Sequence, residues 1–361
     1  MNILTLNCGS SSLKACLFLS DGGRIDQHYQ FSQNKSEQAL PAALEKLRDF
    51  FSVYQIDAIG HRFVHGGDCE DPARLLDAHE LTRLQDIAYL APLHMPANIH
   101  GVQFFQQQFK APQFACFDTA FHRSLPESSS RLPIDKKYGL RRYGFHGINY
   151  AHIAQKLPDL LGEVAFKNVL IAHLGSGASL CMLQNLTSVA TSMGYTPAGG
   201  IPMATRSGDL DPGVMLALAK QMSLEQLTQV TFHQMGLLAL SEGESGDMQT
   251  LLKSESEQAT FAVGYFCDQV RAAIGAYAAQ FGGLDAIVFT GGIGEHAERI
   301  RQQIIASLDF IGFKLDLACN AQHNQTIHGK DSKPILIIPA DEEAEIAFWV
   351  KQLNQEERLL R

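Results

Sequence analysis

ILTLNCGSSSLKACLF, residues 3–18, decides the fold because it occurs twice. Its second copy is VLIAHLGSGASLCMLQ at 169–184, an offset of 166 residues. Each copy is an apolar run, a Gly-Ser turn and a second apolar run. Gly permits positive φ at a turn and Ser bonds back to the backbone, so both copies read as β-hairpins. At this offset Asn7 falls opposite His173, Gly9 opposite Gly175 and Ser10 opposite Ser176. One hairpin repeated about half a chain apart predicts two duplicated domains facing one another.

Working outward, alternating strands and helices fill both halves. DAIGHRFVHGG (57–67), PQFACFDTAFH (112–122), LDAIVFTGGIGE (284–295) and KPILIIPADEE (333–343) read as strands that end in polar loops. Continuous apolar runs of this kind suit strands buried on both faces. A helix is predicted after Pro96, at a first helical position, and another from Ser223, with Gln226 in capping-box spacing. The stretch 257–281 places Phe261, Val270, Ile274, Tyr277 and Phe281 on one side of a helix that Gly282-Gly283 stops. A final helix, 341–353, opens with Asp341, Glu342 and Glu343, acids in the first turn where the helix dipole favours them. The fold class is α/β, with mixed sheets. The domains are expected at 1–148 plus 341–361, and at 149–340.

Length and composition bound the function. At 361 residues the chain fits two domains. The net charge of −9 excludes a nucleic-acid or anionic-membrane binder, which needs a basic surface, so any bound anion must be held by a few placed cations. MNILTLNCGS has neither the basic start nor the cleavage pattern of a signal peptide, and no apolar run approaches a membrane span. Seven cysteines without a C-x-x-C pair read as reduced thiols in a cytoplasmic protein. Cys16 and Cys181, in apolar runs, read as small core residues.

Ligands of open α/β sheets bind at the carboxyl ends of strands, and there this chain concentrates its polar residues: Asn7, Arg62, Asp118, His173, Gly291-Gly292 and Asp341. Arg62 in HRFVHGG and Arg206 in TRSGDLDP sit on separate loops, as bidentate forks for carboxylate or phosphate require. Each could equally serve a structural ion pair, Arg206 with Asp209 for instance. His146 in RRYGFHG reads either as a site donor or as a satisfied loop histidine. Asp118 in FDTAFH reads either as a site acid or as an Asx-turn cap. HLGSGAS (173–179) and GGIGEH (291–296) let a backbone approach a phosphate closely, yet neither is a Walker loop nor a clean G-x-G-x-x-G.

NCGSSSLK, HRFVHGG, APLHMPAN, FDTAFH, RRYGFHG, HLGSGAS, TSMGYTP…TRSGDLDP, FTGGIGE and IPADEE follow one another along almost the whole chain. In type and order they resemble the motifs of the acetate/propionate kinase family. The resemblance implies two ribonuclease-H-like domains of the acetate and sugar kinase, heat-shock and actin superfamily, with the active site in an interdomain cleft. It implies reversible, in-line phosphoryl transfer from ATP to the carboxylate of acetate or propionate, giving acyl phosphate and ADP. It also implies a bound Mg²⁺ or Mn²⁺ and a cytoplasmic homodimer.

Residue by residue, the resemblance makes Asn7 and Glu342 the metal-site residues and Lys14 a nucleotide-phosphate contact. Arg62 would hold the acyl carboxylate or phosphate, with Val64, Leu93, Phe145 and Pro197 lining the acyl pocket. Asp118 would be the catalytic acid residue, and His146 and Arg206 the transition-state stabilisers. Three segments would hold the nucleotide: His173-Leu174-Gly175-Ser176-Gly177, Asp247-Met248-Gln249 and Gly292-Ile293-Gly294-Glu295-His296. Four positions depart from the family's pattern. Ser176 and Met95 each replace Asn, Gln249 replaces Arg in Asp-x-Arg, and His296 replaces Asn after GIGE. The segment from Lys14 to Arg62 is also shortened. Ser176, Gln249 and His296 all fall on the nucleoside side, which leaves another phosphoryl donor, GTP or pyrophosphate, as the alternative.

Overall fold

The computed structural model describes residues 1–8, 12–30, 36–92 and 94–359. The chain parts into two compact units: Met1–Arg123 with Gly147–His152 and Asp341–Arg361, and Ser124–His146 with Ile153–Ala340. The helix Gly147–Leu161 gives its first turns to the first unit and its remainder to the second.

The first unit holds a six-stranded sheet of β1 (Ile3–Cys8), β2 (Ser12–Phe18), β3 (Arg24–Gln30), β4 (Ala58–Phe63), β5 (Ala73–Leu75) and β6 (Gln113–Phe117). Their spatial order is β3-β2-β1-β4-β6-β5. β1 to β3 form an antiparallel meander, whereas β4 and β6 extend it in parallel. On one face the helix Ser36–Phe51 packs Leu44, Leu47 and Phe51 against Leu4, Leu6, Leu13 and Leu17. On the other, the helix Glu342–Leu359 sets Ile346, Trp349 and Val350 against Ile3, Ala58 and Phe114. Both faces being covered explains why β1, β4 and β6 read as unbroken apolar runs.

The second unit repeats the plan. Its strands are β7 (Val169–Leu174), β8 (Ala178–Gln184), β9 (Thr187–Thr191), β10 (Ala286–Thr290) and β11 (Ile335–Ile337), in the order β11-β10-β7-β8-β9. β7 to β9 are antiparallel and β10 and β11 parallel. Read from β9, the sequence of pairings matches that from β3. The duplication predicted from the two hairpins is therefore present in the topology.

The hairpins differ by one residue. Cys8 pairs with Leu13, whereas Leu174 pairs with Ala178. An ungapped offset of 166 thus holds for the first strand only, and the partner of His173 is Ser179, where Asn7 faces Lys14. The turn residues Gly9 and Ser10 lie outside the described residues.

Most helix expectations hold. Pro96 sits in the first turn of the helix Met95–Gln108, and Ser223 and Gln226 form a reciprocal capping box. The last helix runs to Leu359, beyond the expected 353. In the helix Glu257–Gln280, Phe261 corrects the sequence reading: it is 59% exposed, while Val270 and Ile274 are buried. Nine residues make two and a half helical turns, so Phe261 and Val270 point in opposite directions. Ala262, Val263, Phe266 and Cys267 supply the buried face instead. Cys16 and Cys181 are core residues, both without exposed surface. Among the described residues no helix is long and apolar enough to cross a membrane.

Candidate active site

Parallel strands gather the polar residues of the first unit. β1 runs parallel to β4, and β4 to β6, so their carboxyl ends share one edge of the sheet. Asn7 and Arg62 are each next to last in their strands, and Asp118 follows β6 directly. Glu342 opens the helix that lies on β1 and β4. Gly60 permits that approach, because a Cβ there would stand 2.4 Å from Ile346 Cγ2 and 2.8 Å from Val350 Cγ2.

The four side chains form one bonded group. Arg62 Nη2 donates to Asp118 Oδ2 at 2.5 Å, and Nε to the same oxygen at 3.1 Å. Arg62 Nη1 donates to Asn7 Oδ1 at 3.0 Å, and Asn7 Nδ2 donates to Glu342 Oε2 at 3.0 Å. Glu342 Oε2 also stands 3.7 Å from Arg62 Nε. Burial pushes the Asp118 carboxyl up to about 6 against the pull of Arg62, and leaves it ionised at neutral pH. For Arg62 burial opposes the charge, but Asp118 and Glu342 outweigh it and hold the pKa above its ordinary value. The causes differ: burial dominates at Asp118, whose side chain is 1% exposed, and the neighbouring carboxylates dominate at Arg62, whose side chain keeps 17%.

Among the described residues no group of three or more His, Cys, Asp or Glu could hold a metal. A cation that also takes substrate phosphates needs only one or two carboxylates. Glu342, 16% exposed at its side chain, offers one. The Asn7 amide, turned about its last torsion, would offer a neutral oxygen beside it. The donor set fits a hard cation shared with a phosphate. Lys14 is exposed on β2, opposite Asn7 in the ladder. Val64 is buried just beyond β4, and Leu93 lies outside the described residues.

Sequence reasoning passed over Asn98. This buried side chain accepts from the Val64 amide at 3.4 Å and donates to the Cys8 carbonyl at 2.8 Å, tying the end of β1 to the loop after β4. Its helical spacing with Met95, Val102 and Phe105 was the available signal: a polar residue on an apolar face.

In the second unit His146 caps the helix Gly147–Leu161 from the left-handed region, φ 58°. Its Nδ1 lies 2.9 Å from Ser179 Oγ, and its ring stacks on His173 with centroids 4.2 Å apart. Gly177 marks where the catalytic candidates converge. A Cβ there would stand 2.9 Å from Arg206 Nη2 and 3.2 Å from His146 Nε2. Arg206 Nη1 donates to the Pro197 carbonyl at 2.6 Å. Among the described residues no carboxylate ion-pairs with Arg206. Asp209, the alternative partner, accepts from the Gly200 amide at 2.7 Å instead. Burial without counter-charge lowers the Arg206 pKa to about 10, which still leaves it cationic.

The Arg206 loop is pinned by backbone. Met235 N donates to Thr205 O and Leu237 N to Met203 O, at 3.0 and 2.9 Å. Gly236, φ 65°, fits between them because a Cβ would fall 2.1 Å from Met203 O. Phe145 is buried beside His146 in sequence. Of the three nucleotide segments, 173–177 is the end of β7 and the hairpin turn that carries Gly177, with Ser176 exposed. Asp247 caps its own helix, accepting from Thr250 N at 2.9 Å, with Met248 in the core and Gln249 exposed. Gly291–His296 forms a short helix after β10 in which Gly292 and His296 are exposed. Ser179 escaped the sequence reading because the ungapped alignment hid its place opposite His173.

Comparison with known proteins identifies the family. Residues 19–348 match the model of the acetokinase family. The acetate kinase of Nitrobacter hamburgensis is 39% identical over 96% of this chain and 94% of its own. The propionate kinase of Citrobacter freundii is 37% identical over 97% of this chain and 96% of its own. A crystal structure of a propionate kinase from Francisella tularensis superposes with a TM-score of 0.87 at 33% identity, over 97% of this chain and 99% of that one. The chain belongs to the acetokinase family.

Proposed function

We propose that this protein is an acetate kinase: it transfers the terminal phosphoryl group of ATP reversibly to the carboxylate of acetate, giving acetyl phosphate and ADP. The carrying observation is Arg206, a half-buried guanidinium with no carboxylate partner among the described residues, whose Nη2 converges with His146 Nε2 on a glycine-rich turn. A cation held this way is a preorganised receptor for anionic charge.

The acceptor carboxylate is already ionised at neutral pH, so no base has to activate it. The task is to bring two anions together and to neutralise charge on the migrating phosphoryl group. Arg62 binds the acyl carboxylate or phosphate, oriented by its two bonds to Asp118 Oδ2. Asp118 therefore acts as a positioning residue and takes no proton from the substrate. Arg206 and His146 donate to the phosphoryl oxygens as charge grows on them. The family resemblance assigns Val64, Leu93, Phe145 and Pro197 to the acyl group. Lys14 and the segments at 173–177, 247–249 and 292–296 hold the nucleotide. Mg²⁺, held by Glu342 and Asn7, supplies positive charge to the phosphates when bound.

Propionate is the second acceptor to test, because the relatives above include propionate kinases. A methylene in an apolar pocket is worth about 10- to 200-fold in kcat/KM. Gln249 in place of the family's Arg, exposed at the start of its helix, favours testing GTP and pyrophosphate as donors. A hydroxamate assay with acetate, propionate and butyrate against ATP, GTP and pyrophosphate separates these readings, with Arg206→Ala as control. Acyl phosphate from none of these donors would sink them all.

A homodimer completes the reading. The helix Pro212–Ala219, sequence PGVMLALA, buries none of its residues. Leu216 and nearby Leu224 are 67% and 80% exposed. An apolar patch of this kind favours a protein partner, and a second copy is the simplest one. Light scattering on wild type and Leu216→Glu tests it, with dimer and monomer as the expected masses.

A further inference from the structure

The segment Gly291–His296 is held at both ends by side chains. At its entry, Glu295 Oε1 accepts the amides of Gly291 at 2.9 Å and Ala340 at 3.0 Å. At its exit stands Arg301, which has no exposed surface. Arg301 Nε donates to Asn320 Oδ1 at 2.8 Å. Its Nη1 donates to the carbonyls of Gly294 and Glu295, at 2.8 and 2.9 Å. Its Nη2 donates to Asn320 O at 2.9 Å and to His323 Nδ1 at 3.0 Å. A guanidinium carries five N–H groups in a fixed fork, and each finds an acceptor here.

Among the described residues no carboxylate lies within ion-pair distance of Arg301. A buried cation without counter-charge is costly, so the fork must do what a neutral or single-point donor cannot. What it does is fix two consecutive carbonyls of one glycine-rich segment. Gly292, on the open side of that segment, has nothing within 4 Å of where a Cβ would stand. His323 in turn lies edge-on to His296, centroids 6.3 Å apart, so the same fork also steadies the exposed ring.

We propose that Arg301 is a positioning residue for the nucleotide, holding the backbone of Gly292, Ile293 and Gly294 in the shape that receives it. This rests on the phosphotransferase reading above. Arg301 touches no ligand itself and acts only through the carbonyls of Gly294 and Glu295.

Arg301→Lys keeps the charge and loses the fork. The test is a titration of the full chain with a fluorescent ADP analogue, alongside KM for ATP and for acetate. The expected result is an ADP Kd and an ATP KM raised about tenfold or more, with acetate KM within about twofold and kcat largely recovered at saturating ATP. A fall in kcat with ATP KM unchanged, or equal rises in both KM values, overturns the proposal. Should Arg301→Lys fold poorly, Asn320→Leu removes one acceptor of the fork, together with the Nδ2 bond to the Glu298 carbonyl. It should raise the ADP Kd about threefold, and a wild-type Kd there overturns the proposal as well. The ADP titration needs no turnover. A chain that binds ADP but makes no acyl phosphate would sink the phosphotransferase reading and leave the clamp to be judged by its own result.

Discussion

Arg62 and Arg206 are the same residue type in opposite surroundings. Arg62 is ringed by Asp118, Asn7 and Glu342, and its charge is satisfied at rest. The Arg206 side chain is bonded only to the Pro197 carbonyl among the described residues, with no carboxylate beside it. The first is rigid and oriented, suited to holding a substrate in place. The second has charge to spare for an anion that arrives or grows. The pKa directions carry the same contrast, raised for Arg62 and lowered to about 10 for Arg206. An arginine's neighbours therefore decide its role more than its motif does.

The largest expected effect breaks the pair in the first unit. Asp118→Asn takes away the anion that orients Arg62 and should lower turnover without adding a basic limb to the pH–rate profile. Its stability at neutral pH, read from urea unfolding, should rise by up to about 3 kcal/mol, because burial opposes the carboxylate's charge. A loss of several kcal/mol instead would mean that the pair with Arg62 outweighs burial.

Arg206→Ala should act on turnover alone. We expect kcat to fall about 10²- to 10³-fold while the unfolding midpoint stays close to wild type, because a desolvated cation is removed along with its bond. A stability change matching that of Asp118→Asn would erase the contrast.

Acidity sharpens it further. Folded, Asp118 keeps its proton up to about 6, against 3.8 for the ordinary carboxyl. Between those values the folded chain binds the extra proton, so this group makes the fold less stable as pH rises from 4 to 6. The loss should reach up to about 3 kcal/mol. Subtracting the unfolding profile of Asp118→Asn isolates it. A difference that grows with pH would show Arg62 outweighing burial.

Two smaller effects probe the Arg206 loop. Gly236→Ala places a methyl against Met203 O and demands a left-handed alanine. It should cost about 1–3 kcal/mol and lower kcat about tenfold by displacing Arg206. Asp209→Asn keeps an acceptor for the Gly200 amide and should change kcat less than about twofold. A large loss there would restore Asp209 as partner to Arg206.

Much of this was legible in the chain, for definite reasons. Two-face burial writes itself as unbroken apolar runs, so β1, β4, β6, β7 and β10 could be found, and with them the strand ends where Asn7, Arg62 and Asp118 sit. The edge strands β3, β5 and β9 carry no such run and went unseen. Phe261 was misread because large residues were counted without keeping helical phase. Ser179 was hidden by a hairpin one residue shorter than its copy. Arg301 gave no signal, since a buried arginine in ERIRQQI is indistinguishable from a surface one until its five acceptors are known.

Local pattern and turn chemistry, acting over a few residues at a time, determined the α/β class, the repeated hairpin and the identity of the polar residues. They could not determine which charges meet. Whether an arginine is satisfied depends on groups brought from far along the chain, such as Glu342 beside Asn7 and Arg62. Hydrogen bonds need contact and Coulombic energy depends on separation and burial, so only the folded structure decides them.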